Sequence, residues 1–312
     1  MFTVDSDIYI GLLSLVVQLS RYPNLFSHKT TISKYAAGAA LAASLLFGAC
    51  DNINEEDRFI PVERPTVERK VLIQEFTGIR CVNCPDAASL MHDLQGQYPE
   101  SVIVVALHPK DHPFSNPIAG FSLATDEAKT YFEYYNGNEL PAAIVNSGGL
   151  NSNFNQWSSI ALSAMQEKAK LEIDLATVYH EDQDPVDKDK VIRTVEASYS
   201  VRFNEMYDGN VSVLVWIIEN DITGPQMSTS GRIPEYTHRH VFRKSLNGDW
   251  GEQIGSKFTT DQVVEGSAAC TIPEDWNVDN CQIVAFAFKT GDKGVENAEV
   301  VDVISKESNP AE

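Results

Sequence analysis

Positive charge is what this chain has least of. Lys and Arg number 24 against 44 Asp and Glu, a formal net charge of −20 over 312 residues. That balance argues against nucleic acid or an anionic membrane surface as a partner, because both are held by basic patches. Several catalytic signatures are also missing: the chain has no HExxH, no Ser-His-Asp order and no phosphate-cradling glycine loop. Gly148-Gly149 is too short to serve as one. What is present is ordinary for a soluble globular protein, with 43% hydrophobic and 22% charged residues. The length suggests about two domains.

The first 49 residues read as processing signals rather than fold. Lys29 and Lys34 precede an apolar stretch, Tyr35 to Phe47, that ends in Gly48-Ala49-Cys50. A basic region, a short apolar stretch and small residues make a secretory signal. Ending in cysteine, it resembles a bacterial lipoprotein signal, with Phe47 where Leu is usual. Cys50 is then expected to carry lipid and become the mature N-terminus. An ordinary signal peptide or a membrane anchor is the alternative. A second apolar run, Ile8 to Leu19, lies upstream and suggests a start site placed too early. The acidic segment Asp51-Asn52-Ile53-Asn54-Glu55-Glu56-Asp57 reads as a tether over residues 50–63.

Val71 to Phe76 has the pattern of a short buried strand. Ala87, Leu90, Met91, Leu94 and Tyr98 then form a helical stripe, and Pro99 stops it. Val102 to Leu107 is a continuous apolar run, expected of a strand covered on both faces. Together these predict a βαβ unit with a parallel pair. A second helix is marked by Ala124, Ala128, Tyr131, Phe132 and Tyr135, ending at Asn136-Gly137. A short strand opens at Pro141, and a third helix runs from Trp157 to near Lys170. Beyond that point the texture changes. Val191 to Phe203 alternates apolar with polar, and Leu171 to Tyr179, Val211 to Ile218, Thr237 to Arg243 and Ile283 to Phe288 also read as strands. Strands without helical stripes between them predict an antiparallel sandwich.

Between the first strand and first helix lies Cys81-Val82-Asn83-Cys84-Pro85. A helix N-terminus offers unpaired N–H groups and partial positive charge, which favour a thiolate over a thiol. Only the thiolate attacks a disulfide. In an exported chain, redox chemistry is therefore the leading hypothesis for this dithiol. Its bland rival is a stable disulfide that never turns over. A zinc site is the weakest reading, since no second Cys-x-x-Cys or suitable His pair lies nearby. With Cys50 assigned to lipid, four cysteines remain, and the local pairings Cys81–Cys84 and Cys270–Cys281 are expected. The second pair would close a ten-residue loop as a structural disulfide. If sandwich geometry separates the two, they are free buried thiols.

The dithiol's surroundings resemble the thioredoxin fold. Glu75 lies six residues before Cys81, where thioredoxins carry a buried acid, and Phe76 matches the aromatic beside it. Leu140-Pro141 looks like the cis-proline loop. The resemblance implies Cys81 as attacking thiolate, Cys84 as resolving thiol, Glu75 as proton shuttle and Pro141 as a wall of the substrate groove. Val82-Asn83 matches neither the reducing nor the oxidising versions of that motif. Gly78-Ile79-Arg80 lacks the usual tryptophan, and the strand expected after Asn146 is short or missing.

Over roughly residues 50–305 the chain is similar to the 28-kDa outer-membrane lipoprotein family of Gram-negative anaerobes. Glu75-Phe76-Thr77-Gly78, the Cys-x-x-Cys-Pro and Ser245 to Gly251 carry the likeness. It implies an α/β thioredoxin-like domain (64–170) followed by an all-β immunoglobulin-like sandwich (171–305) and a tail (306–312). It also implies lipid anchoring at the outer membrane and no cofactor. Partners would be envelope protein thiols or disulfides, with the membrane reached through the anchor at Cys50. A non-catalytic surface lipoprotein that binds a partner through its sandwich is the alternative.

No residue set is expected to hold a metal. His108 and His112 read as solvated loop residues because Pro109 rules out a helical pair. His238 and His240 would share one side of a strand, as sandwich-surface residues rather than metal ligands. Trp216, Trp250 and Trp276 are expected in the core rather than on a carbohydrate platform.

Overall fold

A computed structural model describes residues 69–304. The lipidation candidate Cys50, the signal and tether before it and after it, and the 306–312 tail lie outside the described residues. The described residues all fall in one compact unit.

Strand β1 (Val71–Phe76) is followed by helix α1 (Cys84–Gln97) and strand β2 (Val102–Leu107). β1 and β2 pair in parallel, Val71 opposite Val102 through Phe76 opposite Leu107. Both strands are buried at every position, as their unbroken apolar runs require. Helix α2 (Asp126–Tyr134) is capped by Thr125, whose hydroxyl accepts from the Ala128 N–H at 3.1 Å. β3 (Ala142–Val145) runs antiparallel to β1, and α3 (Trp157–Met165) follows. After β3 only an isolated bridge, Ala143 to Asn151, stands where a further strand was in question.

From residue 171 onward the described chain is strands joined by turns, with one short 3-10 helix at Val278–Asn280. β4 (Leu171–Gln183), β5 (Val191–Phe203) and β11 (Val263–Ile272) form a three-stranded sheet in the order β11-β5-β4. β7 (Ile222–Ser228) and β8 (Gly231–His238) make a separate hairpin. β6 (Tyr207–Glu219), β9 (Val241–Ser245), β12 (Cys281–Lys289) and β13 (Val295–Asp302) join the first three strands in one sheet, ordered β13-β12-β6-β9-β2-β1-β3. β10 (Glu252–Phe258) also pairs with β6. The joint is narrow: Ala106 of β2 stands opposite Val241 of β9, and its N–H donates to the His240 carbonyl at 2.8 Å. The change of texture near residue 170 therefore marks where helices stop, and hydrogen bonding continues through it.

This large sheet is buried on both faces. In β6, Leu214, Trp216 and Ile218 face one cluster with α2, Phe242 and Phe286. Val213, Val215 and Ile217 alternate to the other face and pack against Val195, Ala197 and Val201 of β5. At the β1–β2 end, α1 and α3 cover that second face through Ala87, Met91, Trp157 and Ala161. A period of two buried on both sides is why β6 reads as a continuous apolar run.

One strand expectation is corrected. Thr237 to Arg243 is not continuous, because His240 adopts a left-handed φ of 56° and turns the chain from β8 into β9. Such a residue cannot sit inside a regular strand.

Candidate functional site

The site begins with a carboxylic acid inside a sheet. Glu75 stands on β1 between Ala106 of β2 and Ala143 of β3. It is 2% exposed, and its Oε1 has no hydrogen-bond partner. Burial penalises the carboxylate and pushes the Glu75 pKa up to about 8. At neutral pH the group is therefore largely protonated.

After β1 the chain turns through Thr77 to Asn83. Arg80 donates its N–H to the Phe114 carbonyl at 2.8 Å, and Cys81 donates to the Gly78 carbonyl at 3.0 Å. Gly78 is required there, since a Cβ would lie 2.4 Å from the Phe114 carbonyl oxygen. Cys81 and Cys84 are joined as a disulfide, with Cα atoms 5.4 Å apart. Cys84 opens α1, with Pro85 next and Asp86 in the first turn. The Leu140–Pro141 peptide is cis, and Leu140 packs in the same cluster as Cys81, Cys84 and Phe76.

An attacking thiolate at the helix tip has to be reached by its substrate, but the first cysteine is buried here. Cys81 is 2% exposed, while Val82 beside it is 43% exposed. The β7–β8 hairpin accounts for part of that cover. Gln226 of β7 donates its amide to the carbonyls of Gly78 and Cys81 at 3.2 and 3.1 Å. The Met227 N–H donates to the Ile79 carbonyl at 2.8 Å. Sequence reasoning missed Gln226 entirely, because Ile-Thr-Gly-Pro-Gln-Met-Ser carries no alternation and no chemical motif.

Three further expectations are overturned. His108 is not a solvated loop residue: it is 3% exposed, and burial holds its pKa down at about 3. His238 is not on a sandwich surface, being buried with its pKa lowered by desolvation to about 4. Cys270 and Cys281 do not form a disulfide and are free thiols. Cys270 lies opposite Val195 in the three-stranded sheet, whereas Cys281 lies opposite Glu219 in the large one. Their closeness in sequence spans two facing sheets. Of the three tryptophans named above, Trp216 is fully buried and Trp250 packs against the same cluster through Tyr131, while Trp276 packs in a second cluster, under Arg243.

What the fold and site define is a β-rich protein with, among the described residues, one disulfide, set in the loop between a buried strand and a helix. Its family follows from the sequence match. Residues 128–307, more than half of the chain, match the model of the outer membrane protein Omp28 family. The chain belongs to that family, which places it at the outer membrane of the cell envelope. The match begins after the disulfide and so does not include Glu75, Cys81 or Cys84.

No curated protein matches the chain. Among solved structures it is similar to HBP35 of Porphyromonas gingivalis, at 15% identity and a TM-score of 0.58, over 80% of each chain. That likeness shows a shared fold. A protein from Agrobacterium tumefaciens matches at 12% identity and TM-score 0.46, over 78% of this chain and 98% of its own. A domain of the outer membrane lipoprotein Omp28 from Porphyromonas gingivalis matches at 18% identity and TM-score 0.28, over 43% of this chain and 88% of its own. Among the described residues no helix is long and apolar enough to cross a membrane.

Proposed function

We propose that the protein is a lipid-anchored envelope protein, held by lipid on Cys50, that carries out thiol–disulfide exchange on other envelope proteins through Cys81 and Cys84. In this reading residues 64–170 are a thioredoxin-like module and residues 171–305 an immunoglobulin-like sandwich that shares its sheet. The observation that carries the reading is Glu75. It is buried, has a pKa pushed up to about 8, and lines the same cavity as Cys84. A structural disulfide needs no such acid beside it.

From the reduced state, the Cys81 thiolate attacks one sulfur of a substrate disulfide. That bond breaks, a mixed disulfide forms, and the other substrate sulfur leaves as a thiolate. In the fraction of molecules whose Glu75 is ionised, Cys84 then gives its proton to that carboxylate and attacks the Cys81 sulfur. The mixed disulfide breaks, Cys81–Cys84 forms, and the second substrate sulfur leaves and takes a proton. The substrate is reduced by two electrons and the protein oxidised by two. An acid with a pKa of about 8 can hold or release that proton near neutral pH. Pro141, immediately before β3, would wall the groove where substrate backbone lies.

A second reading is favoured by the cover over Cys81: the disulfide is only a staple, and the sandwich binds a partner. The potential of the Cys81–Cys84 couple in a glutathione series separates the two. Exchange requires a value between about −120 and −270 mV with mixed disulfide trapped at Cys81. A value below about −300 mV with no trapped species makes the bond structural.

A further inference from the structure

The hairpin over the disulfide hangs from the large sheet by two short links. β6 ends at Glu219 and β7 begins at Ile222; β8 ends at His238 and β9 begins at Val241. β6 and β9 are themselves paired, Glu219 opposite Val241, so β7–β8 is the same ribbon continued after a sharp fold. Asp221 and His240, one in each link, take left-handed φ values of 57° and 56°. Residues other than glycine seldom adopt that conformation, and here both links do so. The links are tied to each other and to the sheet. The His240 N–H donates to Asn220 Oδ1 at 2.8 Å, Arg239 Nε lies 3.5 Å from Asp221 Oδ1, and the His240 carbonyl accepts from Ala106. Beyond the links, β7 and β8 form a sheet of their own.

Two things lie against this hairpin. One is the disulfide turn, held by the Gln226 amide, by the Met227 N–H and by Ile222 and Met227 packing on Ile79, Ile118 and Leu123. The other is a polar cavity of about 240 Å³, which the hairpin shares with Glu75, Cys84 and His108. Five side-chain atoms of its lining residues have no hydrogen-bond partner in the protein. Glu75 Oε1 and His108 Nδ1 come from the first sheet strands; His238 Nε2 and both ring nitrogens of His240 come from the hairpin and its link. Buried polar atoms are worse off unmet than in water. Lifting the hairpin gives them water and breaks no hydrogen bond among them, so opening on this side is cheap.

Such a piece answers a difficulty in the exchange reading, on which this inference rests. A thiolate must meet the substrate sulfur directly, and a cysteine that is 2% exposed is closed to a polypeptide. We propose that the β7–β8 hairpin is a lid, hinged at Asn220–Asp221 and Arg239–His240, that lifts off the 78–81 turn to admit a protein substrate to Cys81. Gln226 is its latch, a positioning residue that touches the turn backbone and no sulfur. The movement is local. It leaves the β6–β9 pairing and the Ala106–His240 bond in place, and it breaks only the contacts of Gln226, Met227 and the small apolar cluster around Ile79. Elements held by so few contacts open at a lower free energy than the core strands around them.

The test needs no protein substrate. Dithiothreitol reduction of Cys81–Cys84 in the oxidised full chain, followed by alkylation and mass spectrometry, should run about tenfold faster in Gln226→Ala than in the unmodified chain. Hydrogen exchange should rise with it in β7 and β8 and stay unchanged in β1, β2 and β6. An unchanged reduction rate overturns the lid. So does a faster rate that comes without added exchange in the hairpin, or with added exchange in all of these strands. Should the variant not fold, the unmodified chain in mild urea decides. Hairpin amides that open well below global unfolding, with a reduction rate that tracks them, support the lid; hairpin amides as protected as those of β6 overturn it. A hairpin that gates reduction while Cys81 traps no mixed disulfide sinks the exchange reading and not the lid, and the reverse pattern sinks the lid alone.

Discussion

Gln226 donates its side-chain amide to the backbone carbonyl of Cys81 at 3.1 Å, across 145 residues of sequence. The same nitrogen reaches the Gly78 carbonyl, so one side chain ties the hairpin to both ends of the turn that presents the disulfide. The turn that carries Cys81 is thus tied down by a residue from the far half of the chain.

Replacing Gln226 by Ala removes the donor it gives the buried Cys81 carbonyl, while the Gly78 carbonyl keeps the Cys81 N–H. The expected cost is about 1–3 kcal/mol, read by urea denaturation. In the reduced protein, Cys81 should also alkylate faster than in the unmodified chain. An unchanged alkylation rate would mean that the cover does not depend on this contact.

Glu75 makes stability depend on pH. Its folded pKa, about 8, lies above the ordinary value of 4.5, so the folded state binds the proton more tightly. That contribution is full below about pH 4.5 and is lost as pH rises through 8. Across this window stability should fall by up to about 1.4 kcal/mol per pH unit. Glu75→Gln, which cannot ionise, should flatten the slope in denaturation series between pH 5 and 8.

Gly78→Ala forces a Cβ against the Phe114 carbonyl oxygen. Overpacking of this kind costs about 1–3 kcal/mol. Thermal melts should show the loss, while Gly96→Ala, which meets nothing within 4 Å, should not destabilise.

Cys270 and Cys281 should both be found as thiols in protein purified without reductant. Burial pushes the Cys281 pKa up to about 12, so its thiolate is scarce at pH 8. Cys270, partly exposed, should be labelled first by iodoacetamide in peptide mapping. A Cys270–Cys281 disulfide peptide would contradict the facing-sheet arrangement.

Much of this fold can be read where one periodicity holds over a whole element. β1, α1, β2, β5 and β6 each carry a run or stripe that a single face or pair of faces explains. The Cys-x-x-Cys and Glu75 stand out because their spacing is local. Gln226 and His238 do not, because their importance comes from a hairpin folding back onto a distant turn. His108 reads as a loop residue since Pro109 follows it, yet it continues the inward face of β2 after Val104 and Ala106. Cys270 and Cys281 mislead for the opposite reason: eleven positions apart in sequence, they belong to different layers.

The single pairing of Ala106 with Val241 has a practical consequence for anyone dividing this molecule. Cutting near residue 170 would strip β2 of its neighbour and leave Val102–Leu107 as a bare edge. It would also uncover Ile103, Val105 and Leu107, which pack in one cluster with Trp216 and Phe242. An unpaired apolar edge is a template for association between copies. The front half expressed alone is therefore a candidate for inclusion bodies, and assays of the disulfide belong on the undivided chain.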